Sequence, residues 1–278
     1  MNFLQKLEYI QEKNDSLVCV GLDSDLTKIP KHLLKKNEPV FQFNKAIIDA
    51  TCDLVCAYKA NIAFYEAGGI NGLKALKKTI TYIKNKYPKI VVIVDAKRAD
   101  IGNTNLGYVK SIFDYYQADA ATVNPYLGKQ AIEPFLKRKD KGIIILCKTS
   151  NQGGKEFQDL IVYHQKLGKV PLYLAVAYNI AHNWNKKNNC GLVIGATYPE
   201  ELKKAREVVG DMPFLIPGVG AQGGDVEKTV KLGQNSKGKG IIINSSRSII
   251  FASNKHDFVK KARQETEKLK DLVNVYKK

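Results

Sequence analysis

The stretch VVIVDAKRADIGNT, residues 91–104, begins as an apolar strand and ends in charged residues. Residues 91–94 are all β-branched and apolar, which is typical of a strand buried on both faces of a parallel sheet. Asp95, Lys97 and Asp100 follow at once, although charged side chains are costly to bury unless they are paired. The stretch therefore predicts a functional site at the carboxyl end of a buried strand.

Seven further segments share this apolar, β-branched character and are spread along the whole chain. Between them lie helical patterns, as in residues 73–83 and 106–116, where apolar side chains recur at steps of three and four. Eight buried strands that alternate with helices predict an α/β fold, a single-domain (β/α)8 TIM barrel over residues 1–278. A doubly wound open sheet is the alternative. The predicted strands are residues 16–23, 53–65, 89–97, 120–126, 142–150, 191–198, 213–220 and 240–248.

Local signals mark several helix ends and two long connections. Pro199, followed by two glutamates, predicts the start of a helix. Asp225 predicts the cap of another helix, which would end near Gly233. The connections 24–41 and 151–168 are longer than most loops in a compact domain, and loops of that length are usually functional.

The sequence is strongly basic, with 44 Lys and Arg against 27 Asp and Glu and a net charge of +17. Such a charge is compatible with a nucleic-acid binder. However, only five of the basic residues are Arg, and no basic stretch is interleaved with stacking aromatic residues. We interpret the charge as a lysine-rich surface that attracts anions, and we expect no nucleic-acid partner.

Other features point to a protein of a reducing compartment. No run of 18 or more apolar residues is present, so no membrane partner is expected, and residues 1–15 lack the apolar core of a signal peptide. The five cysteines form no C-x-x-C motif, and most have apolar neighbours, which is typical of buried thiols. These features predict a cytoplasmic protein.

Charged residues gather at the predicted carboxyl ends of strands, where barrel enzymes place their active sites. Lys59 shares a strand face with Asn61, and Asp95 shares one with Lys97, because residues two apart point the same way. Asp100 lies just beyond the strand. Two lysines and two aspartates that converge on one pocket can neutralise each other. The two lysines would also repel a divalent cation, so we expect no metal.

The glycine-rich stretch GVGAQGG, residues 218–224, matches two kinds of site. Its spacing fits the dinucleotide fingerprint, but Pro217 precedes it and no acidic residue ends the next strand. Its position fits better with the phosphate cradle that follows strands 7 and 8 of a barrel. Gln222 could add a donor there, and Arg247 could hold a phosphate with a bidentate guanidinium.

The motif DAKRADIGNT, residues 95–104, resembles the signature D-x-K-x-x-D-[IV]-x-x-T of the orotidine 5′-monophosphate decarboxylase family. Because six separated motifs agree in order, the resemblance is specific, and the bacterial type 2 branch is the most similar. The other five motifs are VGLDSD (20–25), YKANIAFYE (58–66), CKTSNQGG (147–154), PGVGAQGGD (217–225) and NSSRSI (244–249).

The resemblance implies decarboxylation of orotidine 5′-monophosphate to uridine 5′-monophosphate, the last step of de novo pyrimidine nucleotide synthesis, without a metal or cofactor. It implies that Lys97 donates the proton to C6 of the substrate. The implied catalytic tetrad is Lys59, Asp95, Lys97 and Asp100. It also implies a homodimer in which three residues reach into the partner's site: Asp100, Ile101 and Thr104.

The resemblance assigns the remaining substrate contacts as well. Asp23 and Asn61 would contact the ribose, and Thr149 or Ser150 the pyrimidine. The phosphate would be held by Gln222 and Arg247, with the backbone of Gly220. Related sugar-phosphate enzymes on the same barrel use Mg²⁺ and carry a glutamate where this chain has Lys59, so lysine there favours the metal-free activity.

Overall fold

In the computed structural model of the chain, which describes residues 1–219 and 225–278, eight parallel strands close into a barrel. Each of these strands overlaps one predicted segment, so the predicted barrel is confirmed and the open sheet is excluded. The barrel strands are β1 (Val18–Gly21), β2 (Ala57–Asn61), β3 (Val91–Arg98), β4 (Ala120–Val123), β5 (Gly142–Lys148), β8 (Cys190–Ile194), β9 (Phe214–Pro217) and β10 (Ile241–Ser245). A separate antiparallel hairpin is formed by β6 (Ile161–His164) and β7 (Gly168–Pro171).

Helices connect the strands and cover the outside of the barrel. The predicted helix starts are confirmed, since Pro199 opens one helix and the Asp225 side chain caps another by accepting the Lys228 N–H at 3.0 Å. The helices are α1 (Phe3–Lys13), α2 (Lys31–Leu34), α3 (Pro39–Thr51), α4 (Ile62–Glu66), α5 (Gly69–Lys86), α6 (Gly102–Val109), α7 (Gly128–Leu136), α8 (Lys155–Gln158), α9 (Leu172–Tyr178), α10 (Pro199–Val209), α11 (Val226–Gly233), α12 (Arg247–Ile250) and α13 (Phe258–Tyr276).

Three segments differ from the pattern-based prediction. The helix predicted over residues 106–116 becomes π-helical over Lys110–Tyr115, and Leu106, in its α-helical part, is exposed. The strand predicted over 53–65 ends at Asn61, whose side chain caps α4; apolar runs of strand and buried helix look alike in sequence. The connection 151–168 contains a 3₁₀ turn (Gln152–Gly154), α8 and the start of the hairpin, so it is not an irregular loop.

Helix α1 covers the amino-terminal end of the barrel. Its buried face packs Phe3 against Gly142 so closely that a β-carbon there would lie 2.6 Å from the ring. Lys6 Nζ contacts Asp119 Oδ2 at 2.6 Å, and Gln11 Nε2 donates to the Ile241 carbonyl at 2.8 Å. These contacts leave the carboxyl end of the barrel as the open end. Among the described residues, no helix combines the length and apolar character that crossing a membrane requires.

Candidate active site

A cavity of about 470 Å³ opens at the carboxyl end of the barrel. Its lining includes residues from, or directly after, all eight barrel strands, as the carboxyl ends of parallel strands meet at one face. The cavity brings together residues that are as far as 224 positions apart in sequence (247 − 23). Of the predicted site residues, those that line it are Asp23, Lys59, Asn61, Asp95, Lys97, Thr149, Ser150 and Arg247.

Asp95 is the centre of an ion-pair network in this cavity. Its Oδ2 lies 3.0 Å from Lys59 Nζ, and its Oδ1 lies 2.7 Å from Lys97 Nζ. Lys59 also contacts Asp23, with Nζ 3.7 Å from Oδ1. The Lys59 side chain is 5% exposed, whereas that of Lys97 is 48% exposed. Lys59 is therefore enclosed by its two carboxylates, while Lys97 extends into the open part of the cavity.

The network keeps Lys59 and Asp95 charged. Burial by itself would raise the pKa of Asp95, but the attraction of Lys59 and Lys97 outweighs it and holds that pKa well below its usual range. Burial would likewise lower the pKa of Lys59, but Asp23 and Asp95 raise it above its usual value. The cavity thus holds a carboxylate and an ammonium whose charges do not depend on pH near neutrality.

Asp95 and Lys97 lie in a bulged part of β3. The register of β3 against β4 shifts between Val94 and Arg98, and Lys97 has φ = +48°, which a residue with a side chain rarely adopts. The Lys97 N–H donates to Thr122 Oγ1 at 2.9 Å, and that hydroxyl donates to Asp95 Oδ1 at 2.8 Å. One buried threonine on the next strand therefore holds both the bulge and the carboxylate.

Sequence reasoning did not select Thr122 as a site residue. Its signal is weak, because a single threonine within the apolar stretch AATV looks like an ordinary strand residue. Thr122 becomes a site residue only through the pairing of its strand, β4, with the bulged part of β3. The cavity also has an apolar wall that was not predicted, formed by Leu146, Val193 and Leu215.

A family model described as "Orotidine 5'-phosphate decarboxylase / HUMPS family" matches residues 16–262. The chain belongs to this family. A protein from Cellvibrio japonicus (strain Ueda107) named orotidine 5′-phosphate decarboxylase is 50% identical over 277 residues, which cover 99% of each chain. A protein of the same name from Ralstonia nicotianae is 46% identical over 277 residues, covering 100% of each. The resemblance carried by the six motifs is confirmed.

Solved structures of the family share the whole barrel. The structure of a putative orotidine-monophosphate decarboxylase from Toxoplasma gondii has a TM-score of 0.84 and 36% identity, and 99% of each chain is covered. The UMP synthase of Leishmania donovani has a TM-score of 0.87 and 34% identity. The match covers 99% of this chain but 56% of that one, so the chain spans about half the length of the UMP synthase.

The family motif residues after β3 do not reach the cavity of their own chain. Asp100 Oδ1 accepts the Ile101 N–H at 2.7 Å. The side-chain amide of Asn105 accepts the Asp100 N–H and donates to the Asp100 carbonyl. Ile101 is 67% exposed, and Thr104 is also exposed. The structure therefore separates Asp100 from the Lys59–Asp95–Lys97 network within one chain.

The phosphate end of the cavity is described in part. Arg247 begins α12 directly after β10 and lines the cavity, next to Ser246. The predicted contacts Gly220 and Gln222 lie outside the described residues. Within residues 1–219 and 225–278, no three His, Cys, Asp or Glu side chains come close enough together to hold a metal ion.

Proposed function

We propose that the protein converts orotidine 5′-monophosphate to uridine 5′-monophosphate in pyrimidine nucleotide synthesis, without a metal or cofactor. The observation that carries this proposal is the contact of Lys97 Nζ with Asp95 Oδ1 at 2.7 Å, with Lys97 half-exposed toward the cavity. An ionised carboxylate and a half-exposed ammonium thus lie side by side where a substrate carboxyl group would enter. The names of the family relatives agree with this reaction.

In the proposed reaction the C6–carboxylate bond breaks, CO₂ leaves and the electron pair of the bond stays on C6. The ionised Asp95 disfavours the substrate carboxylate beside it, and this repulsion disappears as CO₂ forms. Lys97 stabilises the negative charge that develops on C6 and then transfers its proton to that carbon. Both contacts improve toward the transition state, which is the requirement for catalysis.

Lys59 supports the proposed reaction by keeping Asp95 ionised and in place. Its ammonium lies between Asp23 and Asp95, at 3.7 and 3.0 Å, and is almost completely enclosed. The Asp23 carboxylate also accepts the Asn61 N–H at 3.2 Å, so Asp23 and Asn61 form one wall beside the network. We assign this wall to the ribose, whose hydroxyls can both donate and accept hydrogen bonds.

The end of β10, which borders β1 in the barrel, binds the phosphate in this proposal. Arg247 supplies a guanidinium that matches two phosphate oxygens, and the predicted contacts Gly220 and Gln222 complete the cradle. In the same proposal Thr149 or Ser150, which both line the cavity just after β5, contacts the base. Binding energy from the phosphate, remote from C6, positions the base against Lys97.

We further propose that two chains form a homodimer that shares its active sites, with Asp100, Ile101 and Thr104 entering the partner's cavity. The support is the outward placement of this segment and the exposed apolar side chains around it. Leu106 on α6 is 51% exposed, and Tyr126 after β4 is 84% exposed. A partner surface would cover these side chains.

The test is the change in ultraviolet absorbance of orotidine 5′-phosphate on incubation with the protein in EDTA. We expect turnover in the chelator, and we expect Lys97→Ala to lack it, which excludes a contaminating enzyme. Turnover that requires added Mg²⁺ would instead favour the related sugar-phosphate chemistry. Absence of turnover together with salt-sensitive RNA binding would refute the proposal in favour of a nucleic-acid binder.

A further inference from the structure

The side chain of Gln158, at the end of α8, closes a hydrogen-bonded ring on Thr149. The Thr149 N–H donates to Gln158 Oε1 at 2.9 Å, and Gln158 Nε2 donates to Thr149 Oγ1 at 2.8 Å. A backbone N–H can only donate, so the amide oxygen has to face it. The amide NH₂ must then face the threonine hydroxyl, and the orientation of the amide is fixed by chemistry.

This ring determines what the Thr149 hydroxyl can offer to a ligand. Since Oγ1 accepts a hydrogen bond from Gln158, its own hydrogen is free to be donated to another group. Thr149 lines the cavity together with Ser150, on the side that we assign to the base. A ligand carbonyl oxygen can accept that hydrogen, whereas an exocyclic amine cannot.

This wall of the cavity is closely packed at two glycines. A β-carbon on the buried Gly154 would lie 3.0 Å from both Thr149 Oγ1 and Gln158 Oε1. A β-carbon on Gly195 would lie 2.7 Å from the Ser150 α-carbon. The residue after Gln158 is Asp159, which forms an ion pair with the fully buried Lys148. The wall therefore has little room to adjust to a ligand of different hydrogen-bonding pattern.

We propose that Gln158 is a positioning residue that determines base specificity by fixing Thr149 as a hydrogen-bond donor. The cavity then favours a pyrimidine nucleotide with a ring carbonyl at this wall over one with an amino group. The inference rests on the proposed function for the class of ligand, a pyrimidine nucleoside monophosphate. The inference adds that Gln158, through Thr149, distinguishes a keto from an amino pyrimidine.

The decisive variant is Gln158→Glu, which keeps the shape of the ring but cannot donate. One carboxylate oxygen accepts the Thr149 N–H, and the other takes the hydroxyl hydrogen, so Thr149 presents only lone pairs to the cavity. The added negative charge by itself would weaken all anionic ligands alike and leave their ratios unchanged. The ratio of two affinities therefore isolates the hydrogen-bonding effect.

The experiment is isothermal titration of uridine 5′-monophosphate, cytidine 5′-monophosphate and ribose 5-phosphate into the wild-type protein and its variants. We expect Gln158→Glu to reduce the preference for the uridine over the cytidine nucleotide by about tenfold, the effect of one hydrogen bond. The same loss is expected for Thr149→Val, which removes the donated hydrogen. Gln152→Ala, an exposed glutamine of the same segment, should match the wild type.

An unchanged preference in either Gln158→Glu or Thr149→Val would overturn the inference. So would ribose 5-phosphate affinity that changes between wild type and Thr149→Val, because the wall would then act on the whole ligand. Thr149→Val provides the answer if Gln158→Glu does not fold. Decarboxylation by the wild-type protein is measured separately, so failure of the proposed function is distinguishable from failure of this inference.

Discussion

Lys59 and Asp95 lie on neighbouring strands with Nζ 3.0 Å from Oδ2, and both side chains are at least nine-tenths buried. The strand register places Asn61 opposite Asp95, so the long lysine side chain reaches up along β2 to the carboxylate. Both charges are largely withdrawn from solvent, so each depends on the other for its stabilisation. Removal of either partner leaves the other charge buried and unpaired, which should lower the free energy of unfolding.

Asp95→Asn should lower the free energy of unfolding by about 3 kcal/mol at pH 7, because Lys59 and Lys97 lose their shared carboxylate. The folded-state pKa of Asp95 is lowered, so its stabilisation is complete above the unfolded pKa near 4 and is lost as pH falls below it. Urea unfolding should therefore give a constant difference from pH 5 to pH 9 that shrinks in more acidic buffer. Asp140→Asn, in an exposed pair, should cost about 1 kcal/mol or less. A difference that grows on acidification would contradict this assignment.

Lys97→Ala should reduce kcat by about 10⁴-fold or more, since it removes both the proton donor and the charge that stabilises the carbanion. The fold should persist, because Asp95 keeps its contact with Lys59. Uridine 5′-monophosphate should still bind measurably in a titration. Lys129→Ala, an exposed lysine on α7, serves as the control with normal turnover. Substantial decarboxylation by Lys97→Ala would refute its role as proton donor.

Arg247→Ala should weaken binding of uridine 5′-monophosphate by about 100-fold, the effect of losing charge-assisted hydrogen bonds to a phosphate. Binding of uridine, which has no phosphate, should not change. Calorimetric titration of both ligands measures the two effects. Arg263→Ala removes an arginine that pairs with Asp53 on the outer surface and should alter neither affinity. Equal losses for uridine and its phosphate would remove Arg247 from the phosphate site.

In the Lys148–Asp159 ion pair, removal of Asp159 should destabilise the fold more than removal of Lys148. The Lys148 side chain is 0% exposed and lies 4.7 Å from the Tyr198 ring, whereas Asp159 is 33% exposed. Asp159→Ala should therefore cost about 3 kcal/mol, because it leaves a buried ammonium without a counter-charge. Lys148→Met should cost about 1 kcal/mol, since water can reach the remaining carboxylate. Equal costs in urea unfolding would contradict this account.

Mixing two inactive variants tests the shared active site. If Asp100 acts in the partner's cavity, a heterodimer of Lys97→Ala with Asp100→Ala contains one site with both residues intact. Random pairing from equal amounts should then restore about a quarter of the wild-type activity, because half of the dimers carry one good site of two. Each variant alone should remain inactive. No recovery after unfolding and refolding the mixture would show that Asp100 acts elsewhere.

Much of the fold and part of the site follow from local sequence. The strands are buried on both faces, so their continuous apolar runs are visible without knowledge of their partners. The two-residue spacing of Asp95 and Lys97 places both on one face of a strand, which predicts their meeting in the cavity. The prediction that Lys59 joins them needed only the further rule that barrel strands end at a common face.

Other features depend on contacts between distant segments, which periodicity does not encode. At the bulge in β3, Lys97 has a positive φ and its N–H donates to Thr122 on the next strand. The two hydrogen bonds between Gln158 and Thr149 form only because the chain after β5 folds back and α8 brings Gln158 next to Thr149.

The sequence by itself therefore determined the barrel, the charged residues at its mouth and the family. Hydrophobic burial and side-chain alternation act over a few residues, and sequence records them directly. Only the tertiary structure decided how Asp95 is held, why Asp100 points away from its own cavity and what orients Thr149. Those outcomes depend on strand register and packing between segments far apart in the chain.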